Sequence, residues 1–321
     1  MMRLMFAALV AVCSLAGHAV AQSFPERPIT LINPYAAGGP ADLLARTVAE
    51  GMSDVLGKPV VVENRPGAGT AIGARAVAQA KPDGYTLFIG GAPSHVITPA
   101  LMKDANYDGI KGFAPIGTVA DVPNVLVVPP SRPYKSVKEL VAAAKAADGK
   151  MTFASVGVGS IPQLLGVLLQ QRAGVKLIEV PYKGGQPAAM DVLGGQVDMA
   201  FLNVPVVLSQ IQSGKMRALA VAAASRIKSL PDTPSMPEAG YPDVKMSTWY
   251  GLSAPAGTPP EIIRTLHAAL AKTLNTSKTR EKIESQGALI FQTTPEQHAA
   301  YLQAEAKLLS ELIKVVNPAA K

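Results

Sequence analysis

The sequence predicts an α/β protein of two similarly built lobes, with a hinge and an interlobe cleft. Three observations carry this. Short β-rich runs alternate with helical periodicities through most of the chain, the pattern of sheets covered by helices. Glycine-rich turns stand between a strand and a helix in both halves. Two extended segments, near 123–128 and 249–254, are placed to carry the chain from one sheet to the other and back. A double crossing of that kind makes a hinge for closure around a ligand. The 321 residues suffice for two units of about 150 residues each. The lobes are drawn as 22–125 with 251–321, and as 126–250.

Residues 28–33 (PITLIN) read as the first strand and 35–42 (YAAGGPAD) as a Gly/Pro loop. Leu43, Leu44, Thr47, Val48, Met52 and Val55 then recur at helical spacing. Residues 59–63 (PVVVE) form a buried strand and 64–69 (NRPGAG) a turn. A helix over 72–80 is stopped by Lys81-Pro82-Asp83-Gly84, and 85–89 (YTLFI) is the third strand. This βαβαβ order predicts parallel pairing with helices on both faces. The middle repeats the theme: strands at 124–128, 152–156, 176–180, 197–201 and 217–222, helices at 137–147, 163–172, 187–193 and 206–212. Proline-rich connections fill 230–242, and a strand at 249–253 follows. The end is mainly helical, over 261–274, 278–285 and 295–316, interrupted by a strand at 288–292.

Composition narrows the function. Apolar residues at 48% and charged residues at 17% exclude intrinsic disorder. Aromatics are only 5% and there is one Trp, which argues against a stacking platform for single-stranded nucleic acid. The net charge of +7 is spread without a run of three Lys or Arg. No nucleic-acid partner is therefore expected; a diffuse positive field steers small anions or serves solubility alone. Cys13 is the single cysteine, so neither a disulfide framework nor a Cys-ligated metal is available. His18, His95, His267 and His298 stand in no paired ligand spacing, and no metal or cofactor is expected. Arg3, the apolar run 4–15 and Ala19-Val20-Ala21 have the layout of a cleavable signal peptide over 1–21. An uncleaved anchor is the alternative, but Ser14, Gly17 and His18 interrupt its apolar run. A lipoprotein would want a small residue before Cys13, where Val12 stands.

Two loops carry the binding chemistry. Ala36-Ala37-Gly38-Gly39-Pro40-Ala41-Asp42 lies between the first strand and the first helix. Free backbone N–H groups and the positive helix start stabilise an anion there without a cationic side chain. Asp42 either caps the helix or orients a bound water, and a plain tight turn is the structural alternative. Ser155-Val156-Gly157-Val158-Gly159-Ser160-Ile161-Pro162 is placed likewise, with hydroxyls from Ser155 and Ser160. Two helix starts facing across a cleft suit a ligand with a carboxylate at either end. The second loop also imitates a dinucleotide fingerprint, with Glu179 20 residues after Gly159. Pro162, however, occupies the place where a third glycine would let helix and strand pack closely.

Asn203 follows a strand and offers either a ligand amide or a helix cap. Ser94 and His95 follow the third strand, where α/β ligands bind. Adjacency on a loop does not make them a nucleophile–base pair. No G-x-S-x-G elbow, triad or carboxylate dyad is readable. No catalysis is expected, and a hydrolase built on Ser94 and His95 is the enzymatic alternative. Tyr182-Lys183-Gly184-Gly185 reads as a surface turn.

Ten segments occur in order: 27–30 (RPIT), 35–42, 60–69 (VVVENRPGAG), 82–87 (PDGYTL), 122–128 (VPNVLVV), 180–185 (VPYKGG), 193–198 (LGGQVD), 217–221 (RALAV), 230–240 (LPDTPSMPEAG) and 252–260 (LSAPAGTPP). Together they resemble the Bug/TctC family of extracytoplasmic solute receptors, which serve tripartite tricarboxylate transporters in bacteria. The resemblance covers nearly all of the chain after residue 21. It implies a periplasmic binding protein fold of type II and a periplasmic location. It also implies a receptor for an organic carboxylate (a di- or tricarboxylate or an aromatic acid), delivered to the membrane subunits of a transporter. Docking of the closed form on a sensor kinase is the alternative output. A monomer suits a receptor that opens and shuts.

In this family backbone amides, hydroxyls and ordered waters grip the carboxylate, which implies that 35–42 is the water-holding loop and 155–160 the carboxylate-facing helix start. The expected ligand-binding residues are Tyr35, Ala36, Gly38, Gly39, Asp42, Ser94, His95, Ser155, Gly157, Gly159, Ser160 and Asn203. The chain departs from the family at Ala41, where a Thr or Ser is common before the Asp, and at Ile161-Pro162-Gln163, where a Ser/Thr-x-His run is common. Both departures predict a more apolar cleft and a ligand with an apolar or aromatic body.

Overall fold

A computed structural model describes residues 24–102, 104–157 and 159–316. The expected signal segment, Cys13, His18 and Val158 lie outside the described residues. Strand alternation builds the first sheet. β1 (Ile29–Asn33) pairs in parallel with β2 (Val60–Asn64) and β3 (Thr86–Gly90). Its crossover helices lie on opposite faces. Leu44, Val48 and Met52 of α1 (Pro40–Leu56) pack with Ile29 and Leu31, whereas Ala74 and Val77 of α2 (Ala71–Ala78) pack with Ile32 and Phe88. Pro40 opens α1 and the left-handed Gly57 closes it, the usual asymmetry of helix ends. After β3 a wide turn, Pro93–Ile97, runs into the single turn α3 (Thr98–Leu101).

β4 (Phe113–Val122) ends the first visit to this sheet, and β5 (Asn124–Val128) starts the second sheet. β5 is buried at every position, as a strand covered on both faces requires. Val125 and Val127 face one core; Leu126 and Val128 face the other. The second sheet continues through α4 (Val137–Ala146), β6 (Thr152–Ser155), α5 (Ile161–Ala173), β7 (Ile178–Pro181), α6 (Gly185–Leu193), β8 (Met199–Asn203), α7 (Val204–Gln212) and β9 (Arg217–Val221). The chain then returns to the first sheet as β10 (Thr248–Pro255), followed by α8 (Pro260–Leu274), α9 (Ser277–Glu284), β11 (Leu289–Ile290) and α10 (Pro295–Val316). Among the described residues no helix is long and apolar enough to cross a membrane.

The strand orders are β11-β4-β10-β3-β1-β2 and β7-β6-β8-β5-β9. Both sheets therefore share one plan. Three parallel strands run second-first-third, and next to them lies an antiparallel strand that has just arrived from the other lobe. The sheets are mixed rather than wholly parallel, because β10 and β5 enter from the opposite direction. β4 is a further departure from the sequence expectation. Pro115 and Gly117 obscure its strand pattern, and the sheet accommodates them by register shifts against β10 after Tyr250 and Leu252.

Both crossings meet in one polar cluster. The Asn124 amide donates to the Thr248 hydroxyl and the Met246 carbonyl, each at 3.3 Å. The Asn203 amide donates to Asn124 Oδ1 at 3.1 Å and to Thr248 Oγ1 at 3.0 Å. Beside this hinge the core of α4 and α5 is continuous with Ile97, Trp249 and, on α10, Leu302, Leu309 and Ile313. α10 thus packs on β4 of the first sheet and on α5 of the second lobe.

Candidate functional site

The C-terminal ends of the parallel strands in both sheets turn into loops that meet. In the first loop Asp42 is buried, and its carboxylate folds the loop back on the helix start. Oδ2 accepts from the Gly38 N–H and from Arg46 Nε, both at 3.0 Å, and Oδ1 accepts from the Asn64 amide at 3.0 Å. That amide also donates to the Tyr35 carbonyl at 3.1 Å. Burial opposes the Asp42 charge, but Arg46, the Gly38 N–H and Asn64 outweigh it and hold the carboxyl below its ordinary range. Asp42 is therefore the organiser of the loop and makes no cap bond. Ala36, Ala37 and Gly38 are exposed. A Cβ at Gly38 would meet nothing within 4 Å, and one at Gly39 only the Ala36 carbonyl at 3.8 Å.

A neighbouring loop after β2 is strained. Gly67, Ala68, Gly69 and Thr70 have φ of 128°, 45°, 59° and 85°. Left-handed non-glycine residues cost about 1–3 kcal/mol each and cluster at ligand clamps and active sites. The Thr98 hydroxyl holds the loop by donating to the Gly69 carbonyl. Around it the Asn33 amide nitrogen, the Tyr35 hydroxyl and Thr70 Oγ1 are buried without a protein partner. Burial pushes the Tyr35 hydroxyl well up, and nearby Tyr250 and Tyr107 push it further.

In the second lobe the Ser160 hydroxyl donates to the Gly157 carbonyl at 2.7 Å and accepts from the Gln163 N–H at 3.3 Å. This is one half of a capping box. The reciprocal bond is shifted by one residue: Gln163 Oε1 accepts from the Gly159 N–H at 2.8 Å, not from that of Ser160. The Gln163 amide donates to Glu179 Oε1 at 3.0 Å and to Oε2 at 3.1 Å, and Ser155 Oγ donates to Oε1 at 2.6 Å. Gly159 (φ +77°) faces the first lobe so closely that a Cβ would stand 2.8 Å from Ile97 Cγ2. The second glycine loop thus touches the turn after β3.

The sequence matches the family model "Tripartite tricarboxylate transporter family receptor" over residues 44–317. The chain belongs to that receptor family. It is 37% identical to BugT of Bordetella pertussis (strain Tohama I) over 306 residues, covering 95% of this chain and 94% of BugT. The receptor is also similar to the periplasmic binding protein BugD, at 38% identity and a TM-score of 0.82, over 91% of this chain and 98% of BugD. An R. palustris protein solved with adipate is 32% identical, with a TM-score of 0.85, over 91% of this chain and 98% of its own. The two-lobed architecture is that of periplasmic binding proteins.

Of the twelve residues expected at the receptor's site, nine lie in the two glycine loops: Tyr35, Ala36, Gly38, Gly39, Asp42, Ser155, Gly157, Gly159 and Ser160. Three lie elsewhere. Asn203 is in the hinge and makes no side-chain cap on α7. Ser94 is 0% exposed and exchanges hydrogen bonds with Gly91, both at 3.1 Å. His95 is 1% exposed, with Nδ1 2.7 Å from the Gly109 carbonyl and its ring between Phe113 and Trp249. Burial lowers the His95 pKa to about 4, and its Nε2 has no hydrogen-bond partner. Ser94 and His95 thus form no nucleophile–base pair in the receptor. A cavity of about 470 Å³ beside His95, lined by Val96, Tyr107, Ile110 and Ile313, lies apart from both glycine loops.

Sequence reasoning missed the strained 67–70 segment, Asn33, Gln163 and Glu179 as site features. Signals existed for two of them. Gly67 and Gly69 bracket a non-glycine in a turn, and Ser160-Ile161-Pro162-Gln163 is a capping-box spacing.

Proposed function

We propose that the protein is a periplasmic receptor that binds an organic carboxylate between its lobes and delivers it to the membrane subunits of a tripartite tricarboxylate-type transporter. The observation that supports this is a glycine loop followed by a helix start after the first parallel strand of each of two sheets with the same strand plan. Helix starts attract anions. The partnerless Asn33 amide nitrogen adds buried hydrogen-bonding capacity beside the first loop. The hinge at Asn124, Thr248 and Asn203 supplies the axis for closure, which needs only a higher affinity for the closed state. Family membership and the adipate held by one similar structure support the ligand class.

The test is a thermal-shift screen of unfolded and refolded protein against aliphatic diacids, tricarboxylates, acidic amino acids and aromatic acids. A ligand at a hundred times its Kd adds about 2.7 kcal/mol, several degrees for a chain of this size. Gly39→Val projects into open space, so it is expected to leave the unliganded melting temperature unchanged and abolish the shift. A folded protein that responds to no acid, or a variant that responds like the parent, contradicts the reading.

A further inference from the structure

We propose that Glu179 sets the ligand class of the second lobe. Its carboxylate, held at the start of α5, turns away a second ligand carboxylate, so the receptor prefers monocarboxylates whose far end is neutral or donates hydrogen bonds. This rests on the reading of the glycine-loop cleft as the ligand site.

A helix start draws anions because its first N–H groups have no partners and the dipole is positive there. At α5 that attraction is already answered within the chain. Glu179 Oε1 accepts from Ser155 Oγ at 2.6 Å and from the Gln163 amide at 3.0 Å, and Oε2 accepts from the same amide at 3.1 Å. Gln163 in turn takes the Gly159 N–H at 2.8 Å. One loop N–H that an incoming carboxylate would use is therefore occupied. A negative charge also stands one hydrogen bond from the last residue of β6. Glu179 is half-buried, and among the described residues no Lys or Arg forms an ion pair with it.

The first lobe differs in charge and access, although there too a loop N–H, that of Gly38, is taken by a side chain, Asp42, at 3.0 Å. Its carboxylate, Asp42, is neutralised by Arg46 at 3.0 Å. Its loop mouth is open, and the Asn33 amide nitrogen beside it has no protein partner. One ligand carboxylate therefore belongs in the first lobe. The far end of the ligand meets Glu179, whose carboxylate has room for about one more donor. Like charges a few ångströms apart in a half-buried site separate affinities by tenfold or more.

Isothermal titration of the full-length protein with matched pairs decides this: adipate and its monoamide, succinate and its monoamide, terephthalate and its monoamide. Each pair has one shape and differs by one charge. The monoamide of whichever pair binds is expected to bind at least about tenfold more tightly than the diacid. In Glu179→Gln the gap closes to within about threefold, through a gain in diacid affinity. A parent protein that binds the diacid as tightly as the monoamide overturns the proposal, and that ratio decides even if the variant does not fold. An unchanged ratio in a folded Glu179→Gln protein overturns it too. If folded protein binds no acid of either kind, the receptor reading itself falls and the inference falls with it.

Discussion

Asp42 shows how much one buried carboxylate organises. Three donors from three places in the sequence, Gly38, Arg46 and Asn64, converge on it. Removing the shared acceptor breaks three part-buried hydrogen bonds to a charged group, and because water reaches the Gly38 and Arg46 donors the loss is about 1–3 kcal/mol in all. Asp42→Ala is therefore expected to lower stability by about that amount. Because the loop loses its fold-back, ligand affinity should also fall by at least about tenfold, a loss of about 1.4 kcal/mol of binding energy. Calorimetric titration alongside a melting curve checks both; a stability loss with intact affinity would mean that the loop conformation is irrelevant to binding.

At the scale of elements, the packing of α10 on the first sheet includes one tight contact. His298 is completely buried against β10, and a Cβ on Gly251 would come 2.6 Å from its Cε1 and 2.8 Å from its Nε2. Gly251 is thus required by close approach. Overpacking of this kind costs about 1–3 kcal/mol, so Gly251→Ala should lower the melting temperature by several degrees. Adding His298→Ala removes the obstructing ring, and the pair should be less destabilising than the sum of the singles. Additive losses in that double-mutant cycle would show that the ring and the strand do not press on each other.

For the whole molecule, the junction of α10 with the hinge-side core concentrates buried ionisable groups. Burial, with a smaller contribution from nearby His95, lowers the His298 pKa to about 3, and burial lowers His95 to about 4. The unfolded chain therefore binds more protons than the folded one at pH values below 6.5, and these histidines make stability fall as the pH falls. Each contributes a slope of about 1.4 kcal/mol per pH unit once the unfolded state is protonated. Asp121 and Glu305, whose pKa values burial raises, act in the opposite sense; their contribution is lost as pH rises through the raised values. The difference between parent and variant isolates one group. His298→Leu should lose less stability than the parent between about pH 6.5 and pH 4.5, by up to about 1.4 kcal/mol per pH unit. Parallel losses in denaturant titrations at the two pH values would remove His298 from the account.

The sequence by itself determined the alternation of strands and helices, the two lobes with their double crossing, and the two glycine loops. These are local properties, written in periodicity, Gly and Pro placement, and unbroken apolar runs such as that of β5. Tertiary structure alone decided the rest, because the deciding partners are far apart in the chain. β4 is a strand despite Pro115 and Gly117 because β10 shifts register beside it. Asn203 belongs to the hinge because Asn124 and Thr248 arrive there from both crossings. Ser94 and His95 follow a strand end, as ligand-binding residues do, yet the packing of Phe113 and Trp249 encloses His95 and Ser94 turns back on Gly91. Glu179 reads in the sequence only as the acidic end of an imitation dinucleotide fingerprint. Only the folding of α5 over β7 brings Gln163 to it and sets its charge at the helix start.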